Sequence, residues 1–184
     1  MGSALETLCG QAFGAGQIHM LGVFMQRSWI ILTATAMLLS PIYIFSAPIL
    51  KLLGQADDIS DLAGQFAIWT LPLLFSFAIN FPVQKFLQSQ SKVTAMAWIS
   101  VIGLIFQVFL SWLCISKLNW ELVGAAVSLN ISWWTLVICQ LVYAVRWCPD
   151  AWTGLSVLAF YDLWAFVRLS LASAVMLWLV TGFN

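Results

Sequence analysis

Four uncharged stretches of nearly equal length constrain this chain more than any other feature. Between Arg27 and Lys51 lie 23 residues without a charged side chain, Ser28–Leu50. Between Asp61 and Lys85 lie another 23, Leu62–Gln84, and between Lys92 and Lys117 lie 24, Val93–Ser116. The last window, Leu122–Val145, also holds 24. A helix rising about 1.5 Å per residue needs about 20 apolar residues to cross a hydrocarbon core. A membrane strand needs only about 9–11, so a β-barrel does not explain the spacing. The windows predict an all-α fold, a polytopic transmembrane helix bundle with four full spans.

Composition agrees. Charged residues make up 8% of the chain and the mean hydropathy is +0.98, whereas soluble domains carry about 25% charged residues. The partner is therefore the lipid bilayer. A formal net charge of zero gives no reason to expect nucleic acid. The cysteines Cys9, Cys114, Cys139 and Cys148 have no paired spacing, and His19 is the only histidine. No metal site, disulfide framework, cofactor or catalytic constellation is expected from such a set, and an enzyme is not the reading.

Loop charges orient the spans. The connections around Gly14–Ser28, Lys85–Lys92 and Arg146–Arg168 hold Arg27, Lys85, Lys92, Arg146 and Arg168, while the alternate ones hold only Lys51 and Lys117. Five basic residues against two place the first set in the cytoplasm. Pro41 and Pro72 fall inside spans and predict kinks. Gln107 is expected to bond a neighbouring helix. The run Gly124-Ala125-Ala126 offers a small-residue face for close packing. After Arg146, the stretch from Cys148 to Gly154 reads as a turn-rich linker. Leu155, Leu158, Ala159, Leu163, Phe166 and Val167 then share one face of a surface helix. Leu169–Leu179 reads as the start of a fifth downstream span.

The opening residues, Met1–Gly16, are too short to span but carry an acid, Glu6, among small residues. The pattern breaks at Gly14-Ala15-Gly16, which puts Glu6 on the order of 12 Å from the helix end. An acid in a membrane helix is a candidate functional group by default. The alternative is a carboxylate that faces water or bonds a neighbouring helix. With Glu6, the polar residues Gln11, Asn80, Gln84 and Asn130 are the candidates for a substrate or ion pathway. Gln84 and Lys85 also fit a helix end reaching into headgroups.

Several blocks carry a resemblance. SALETLCGQAFGAG (Ser3–Gly16), QRSW (Gln26–Trp29), PILKLLGQ (Pro48–Gln55) and INFPVQKFLQSQSKV (Ile79–Val93) resemble the plant branch of the multidrug and toxic compound extrusion (MATE) family. So do LVGAAVSLNISWW (Leu122–Trp134) and LSLASAVM (Leu169–Met176). The resemblance implies twelve helices in two six-helix lobes that export organic solutes, xenobiotics among them, in exchange for protons at the vacuolar or plasma membrane. It makes this chain a partial MATE-type lobe. Residues 1–146 would run from the end of the second helix to the sixth. Residues 147–168 would form a cytoplasmic linker and 169–184 the start of the second lobe, two partial spans thus flanking four full ones. After Met176 the chain departs from the family's pattern, and an intramembrane acid expected there is absent. It follows that the chain should not transport by itself. The alternative is a non-transporting fragment that interacts with a full-length MATE protein.

Overall fold

The computed structural model describes residues 2–117 and 120–152, together with Gly154, Ser156, Leu163, Trp164, Val167, Arg168 and Ala172. The side chains of residues 2–4, 6–8 and 121 lie outside that description. Every regular element among the described residues is helical. These are α1 (Gly2–Gly14), α2 (His19–Ile44), α3 (Ser46–Leu52), α4 (Asp57–Ser89), α5 (Val93–Trp112) and α6 (Glu121–Trp147), with a π-helical turn at Leu113–Lys117. The surface helix expected over 155–168 and the span expected over 169–179 lie mostly outside the described residues.

By length and apolarity, His19–Ile44, Val93–Lys117 and Leu122–Trp147 can each cross a bilayer, and α4 is a fourth if its two bent parts count as one span. The face α5 presents makes the same argument. It has no buried residue and exposes Trp98, Ile102, Ile105 and Phe109. A helix this apolar, with most of its surface left uncovered by protein, belongs in lipid.

Charge windows and helix ends do not coincide. Residues 14–28 read as a connection, yet α2 begins at His19, which is exposed, and the connection shrinks to Ala15–Ile18. The reason is local: Leu21, Val23 and Met25 are buried, so apolar contact carries the helix past Arg27. At the other end Pro41 leaves α2 intact as far as Ile44, with the Phe45 amide still donating to the Pro41 carbonyl at 2.8 Å. The break falls at Phe45, and Pro48 lies in the first turn of α3, where its missing donor costs little.

Three helix ends are closed by the same device. At Gly16 (φ 72°), the Gln17 amide bonds the Ala12 carbonyl and the Gly16 amide bonds Phe13. Gly54 (φ 84°) and Ser91 (φ 59°) close α3 and α4 with the same pair of bonds. This is the Schellman arrangement, which a left-handed residue just past the helix makes possible. Lys51, at the end of α3, then reaches Asp61 at 2.8 Å and Asp57 at 3.5 Å across the turn. The bond to Asp61, more than the other contributions, holds the exposed ammonium above the usual lysine range.

The chain divides into two compact units, one holding residues 1–32, 79–96 and 140–184, the other 33–78 and 97–139. The first contains Arg27, Lys85, Lys92, Arg146 and Arg168, the set that the charge count assigns to the cytoplasm. Its core is conventional: Leu5, Cys9 and Ala12 of α1 meet Leu21 and Met25 of α2, Val83, Phe86 and Leu87 of α4, and Ala144 of α6. The spacing 5, 9, 12 marks one face of α1. Gly10 and Gly14 lie off that face, and a Cβ added to either meets nothing within 4 Å. Among the described residues of α1, the small ones Gly10, Ala12 and Gly14 contribute only Ala12 to the buried face.

The second unit is built differently. Most of its described buried residues are small or polar, among them Ala36, Ser60, Gly64, Thr70, Ser76, Ala126, Ser128 and Ser132, with Val137 a larger apolar exception. Small side chains let helix backbones approach, and dispersion rather than water exclusion then holds them in lipid. A Cβ on Gly64 would lie 2.6 Å from the Ala47 Cβ, and one on Gly103 would lie 3.2 Å from Leu136 Cδ1. Gly124, expected to pack tightly, would meet the Trp120 Cβ at 2.9 Å. Gln107 donates to Ser111 on its own helix at 3.1 Å. Ser111, not Gln107, reaches Ser128 of α6 at 3.2 Å.

Candidate functional site

A candidate site lies in the second unit, where α4 bends. Asp57–Trp69 and Leu71–Ser89 meet at 46°. Pro72 has no amide hydrogen for the carbonyl four residues back, and its ring crowds that turn. A bent helix leaves carbonyls without helical partners, and lipid offers them none. Asn130 of α6 supplies a further donor at this turn. Its Nδ2 donates to the Trp69 carbonyl at 2.8 Å and to the Ala126 carbonyl of its own helix at 2.9 Å. Thr70 turns its hydroxyl back onto Phe66 and Ala67, a bond that helps a helix to bend.

Beside the bend is a cavity of about 200 Å³ lined by Tyr43 of α2, Phe66, Thr70, Leu73, Leu74 and Phe77 of α4, and Leu129 of α6. Phe77 is fixed edge-on against Trp133, with ring centroids 4.6 Å apart. The lining is aromatic and aliphatic with two hydroxyl groups, on Tyr43 and Thr70. Such a site binds by stacking and apolar burial more than by directional bonds.

The other sequence candidates sit in the first unit. Asn80 is buried, and its Oδ1 has no protein hydrogen-bond partner. Gln84 is half-buried, and Gln11 is exposed. Glu6 belongs to α1, but its side chain lies outside the description. Asn130 is thus the candidate placed in the second unit, while Glu6, Gln11, Asn80 and Gln84 share the first.

Two residues not singled out in the sequence matter in the first unit. Gln140 is fully buried, and neither of its amide atoms has a protein partner. Its only signal in the sequence is an amide inside an apolar helix. Gln140→Met keeps the length and removes the unsatisfied polar atoms. The expected outcome in thermal unfolding is neutral, or a gain of up to about 2 kcal/mol. A clear loss would show that the amide holds a bound polar group. The second residue, Gln26, is buried and bonds Gly154 and Ser156.

The MatE family profile matches residues 1–113. The chain belongs to the MatE family. It is 60% identical over 177 residues to Protein DETOXIFICATION 35 of Arabidopsis thaliana, covering 96% of this chain and 36% of the relative. Protein DETOXIFICATION 33 of the same plant is 60% identical over 178 residues, covering 96% and 37%. The fold superimposes with a TM-score of 0.87 and 33% identity on the crystal structure of the eukaryotic MATE transporter AtDTX14, covering 91% of this chain and 38% of that one. The chain therefore spans a little over a third of the length of the curated relatives it matches. As a MatE member with apolar helices of spanning length, it is an integral, multi-pass membrane protein.

Proposed function

We propose that these residues form most of the first lobe of a secondary antiporter that exports organic solutes in exchange for protons. In this reading residues 1–146 are the lobe, 147–168 the linker and 169–184 the start of the second lobe. The unbroken similarity to DETOXIFICATION proteins over 96% of the chain carries the proposal. The cavity at the α4 bend supports a substrate class: flat, weakly polar rings that stack on Phe66, Phe77 and Tyr43. Glu6 is the proton-coupling group, with Gln11, Asn80, Gln84 and Asn130 along the pathway. A carboxylate within a membrane helix is tolerated in different packings when charged and when neutral, so proton binding biases one state over another.

Alternating access requires two bodies that move against each other. A polypeptide of these 184 residues alone is therefore not expected to drive efflux. The test uses proteoliposomes with an imposed proton gradient. A full-length DETOXIFICATION relative carrying this segment in place of its own should export an aromatic dye. Its Glu6→Gln version should lose the dependence of rate on the gradient, and the 184-residue polypeptide should export none. An unchanged gradient dependence would remove Glu6 from the mechanism, and robust export by the polypeptide would sink the two-lobe requirement.

A further inference from the structure

One face of α2 carries three unusual residues at positions 22, 26 and 29, the i, i+4, i+7 spacing of a single helix stripe. Each meets the chain that follows α6. Gly22 is buried, and a Cβ on it would stand 2.7 Å from the Ala151 carbonyl oxygen, so backbone lies directly against backbone there. One turn on, Gln26 uses both ends of its amide: Nε2 donates to the Gly154 carbonyl at 2.8 Å, and Oε1 accepts from the Ser156 amide at 2.9 Å. A donor and an acceptor spent on residues two apart is how a strand pairs with its neighbour. A further turn on, the Trp29 ring lies 5.8 Å from that of Trp152, and its Nε1 donates to the Ile79 carbonyl at 3.0 Å.

We propose that the Gly22, Gln26 and Trp29 stripe is a docking surface for the chain's own residues after α6, a latch that grips Ala151, Trp152, Gly154 and Ser156 and sets the direction in which the chain leaves α6. The segment is shaped to fit. The amides of Ala151 and Trp152 both turn back to the Cys148 carbonyl, and Gly154 takes φ 94°, where a side chain would be strained. Specificity lies in Gln26. Glutamate has the same size but no donor for the Gly154 carbonyl, and it would face that oxygen with a charge. Leucine would leave both backbone groups without partners.

The latch covers its own reporter. Cys148 is buried together with Ala151, Leu21 and Met25. Burial pushes its thiol above the usual range, Lys92 opposing the shift and Asp150 adding to it. Both burial and the scarcity of thiolate slow its alkylation. The test is maleimide labelling of the whole 184-residue chain in lipid nanodiscs, read by mass spectrometry of the peptide containing Cys148. Cys114, buried in the other unit, serves as the internal control. Gln26→Glu and, independently, Gly22→Val are expected to speed Cys148 labelling at least tenfold and leave Cys114 unchanged. An unchanged rate at Cys148 in both variants overturns the latch. Equal acceleration at both cysteines also overturns it, because Gln26 would then serve the packing of the whole bundle.

Discussion

Gly64→Leu is expected to destabilise the protein by about 3 kcal/mol or more, at the upper end for an overpacked core. Gly64 is buried in α4, where its Cβ would come within 2.6 Å of the Ala47 Cβ and 3.2 Å of both the Ala47 Cα and N. The obstacle is largely backbone, which cannot swing aside as a flexible side chain can. Ala47 belongs to the seven-residue helix α3, which is tied to α4 by Lys51 and its two aspartates. Those ion pairs are exposed and screened, so they offer little resistance to displacement. Relief by shifting α3 would also undo the close approach that supplies its packing in lipid. Alanine tests the account more finely. Its helix propensity favours it over glycine by about 1 kcal/mol, which partly offsets the clash, so Gly64→Ala should fall well short of the leucine variant. Gly10→Ala gains the same propensity with nothing within 4 Å and should be neutral or stabilising. Thermal unfolding of the four proteins in detergent should rank Gly10→Ala at or above wild type, then Gly64→Ala, then Gly64→Leu. A Gly64→Leu protein as stable as wild type would show that the α3–α4 contact is not the tight one described.

Why some of this was legible in sequence and some was not follows from the physics of each feature. Charged groups are costly in hydrocarbon, so Arg27, Lys51, Lys85, Lys92 and Lys117 mark off spans with little ambiguity. They do not mark helix ends, because a helix can continue past a charge that reaches the interface, and α2 does so from His19 through Arg27. The stop after Gly14 could be foreseen because only a left-handed residue closes a helix in that way, and glycine adopts it freely. Ser91 closes α4 in the same manner without announcing it. Pro41 and Pro72 looked alike in sequence, yet α2 runs on past the first while α4 bends near the second. What distinguishes them is in part an amide on another helix, which no local pattern reveals. Asn130 was recognisable as a polar group in an apolar helix, but its partner is a backbone carbonyl 61 positions away. Carbonyls and amides are identical in every sequence, so the grip of Gln26 on Gly154 and Ser156 was invisible for the same reason.

The bend itself gives the second expectation. Asn130→Leu should destabilise the second unit by about 1–2 kcal/mol, because it removes two hydrogen bonds worth about 1 kcal/mol each. Leucine fills similar space but takes away the donor that α6 offers the Trp69 carbonyl. Asn130→Asp separates the hydrogen bond from the packing, because only the protonated acid can donate to that carbonyl. The folded state then prefers the protonated form, so the recovered stability is present in acid and lost as pH rises. Asn130→Asp should thus unfold at a higher temperature near pH 4 than near pH 8, measured relative to wild type at each pH, whereas the deficit of Asn130→Leu should not change. If both variants show the same deficit at both pH values, the side chain acts by filling space and the bend does not depend on its donor. If only the aspartate recovers in acid, the 46° bend, and with it the aromatic cavity beside Thr70, depends on one hydrogen bond from α6. A site held open by a single donor can be closed or reshaped by anything that competes for that donor.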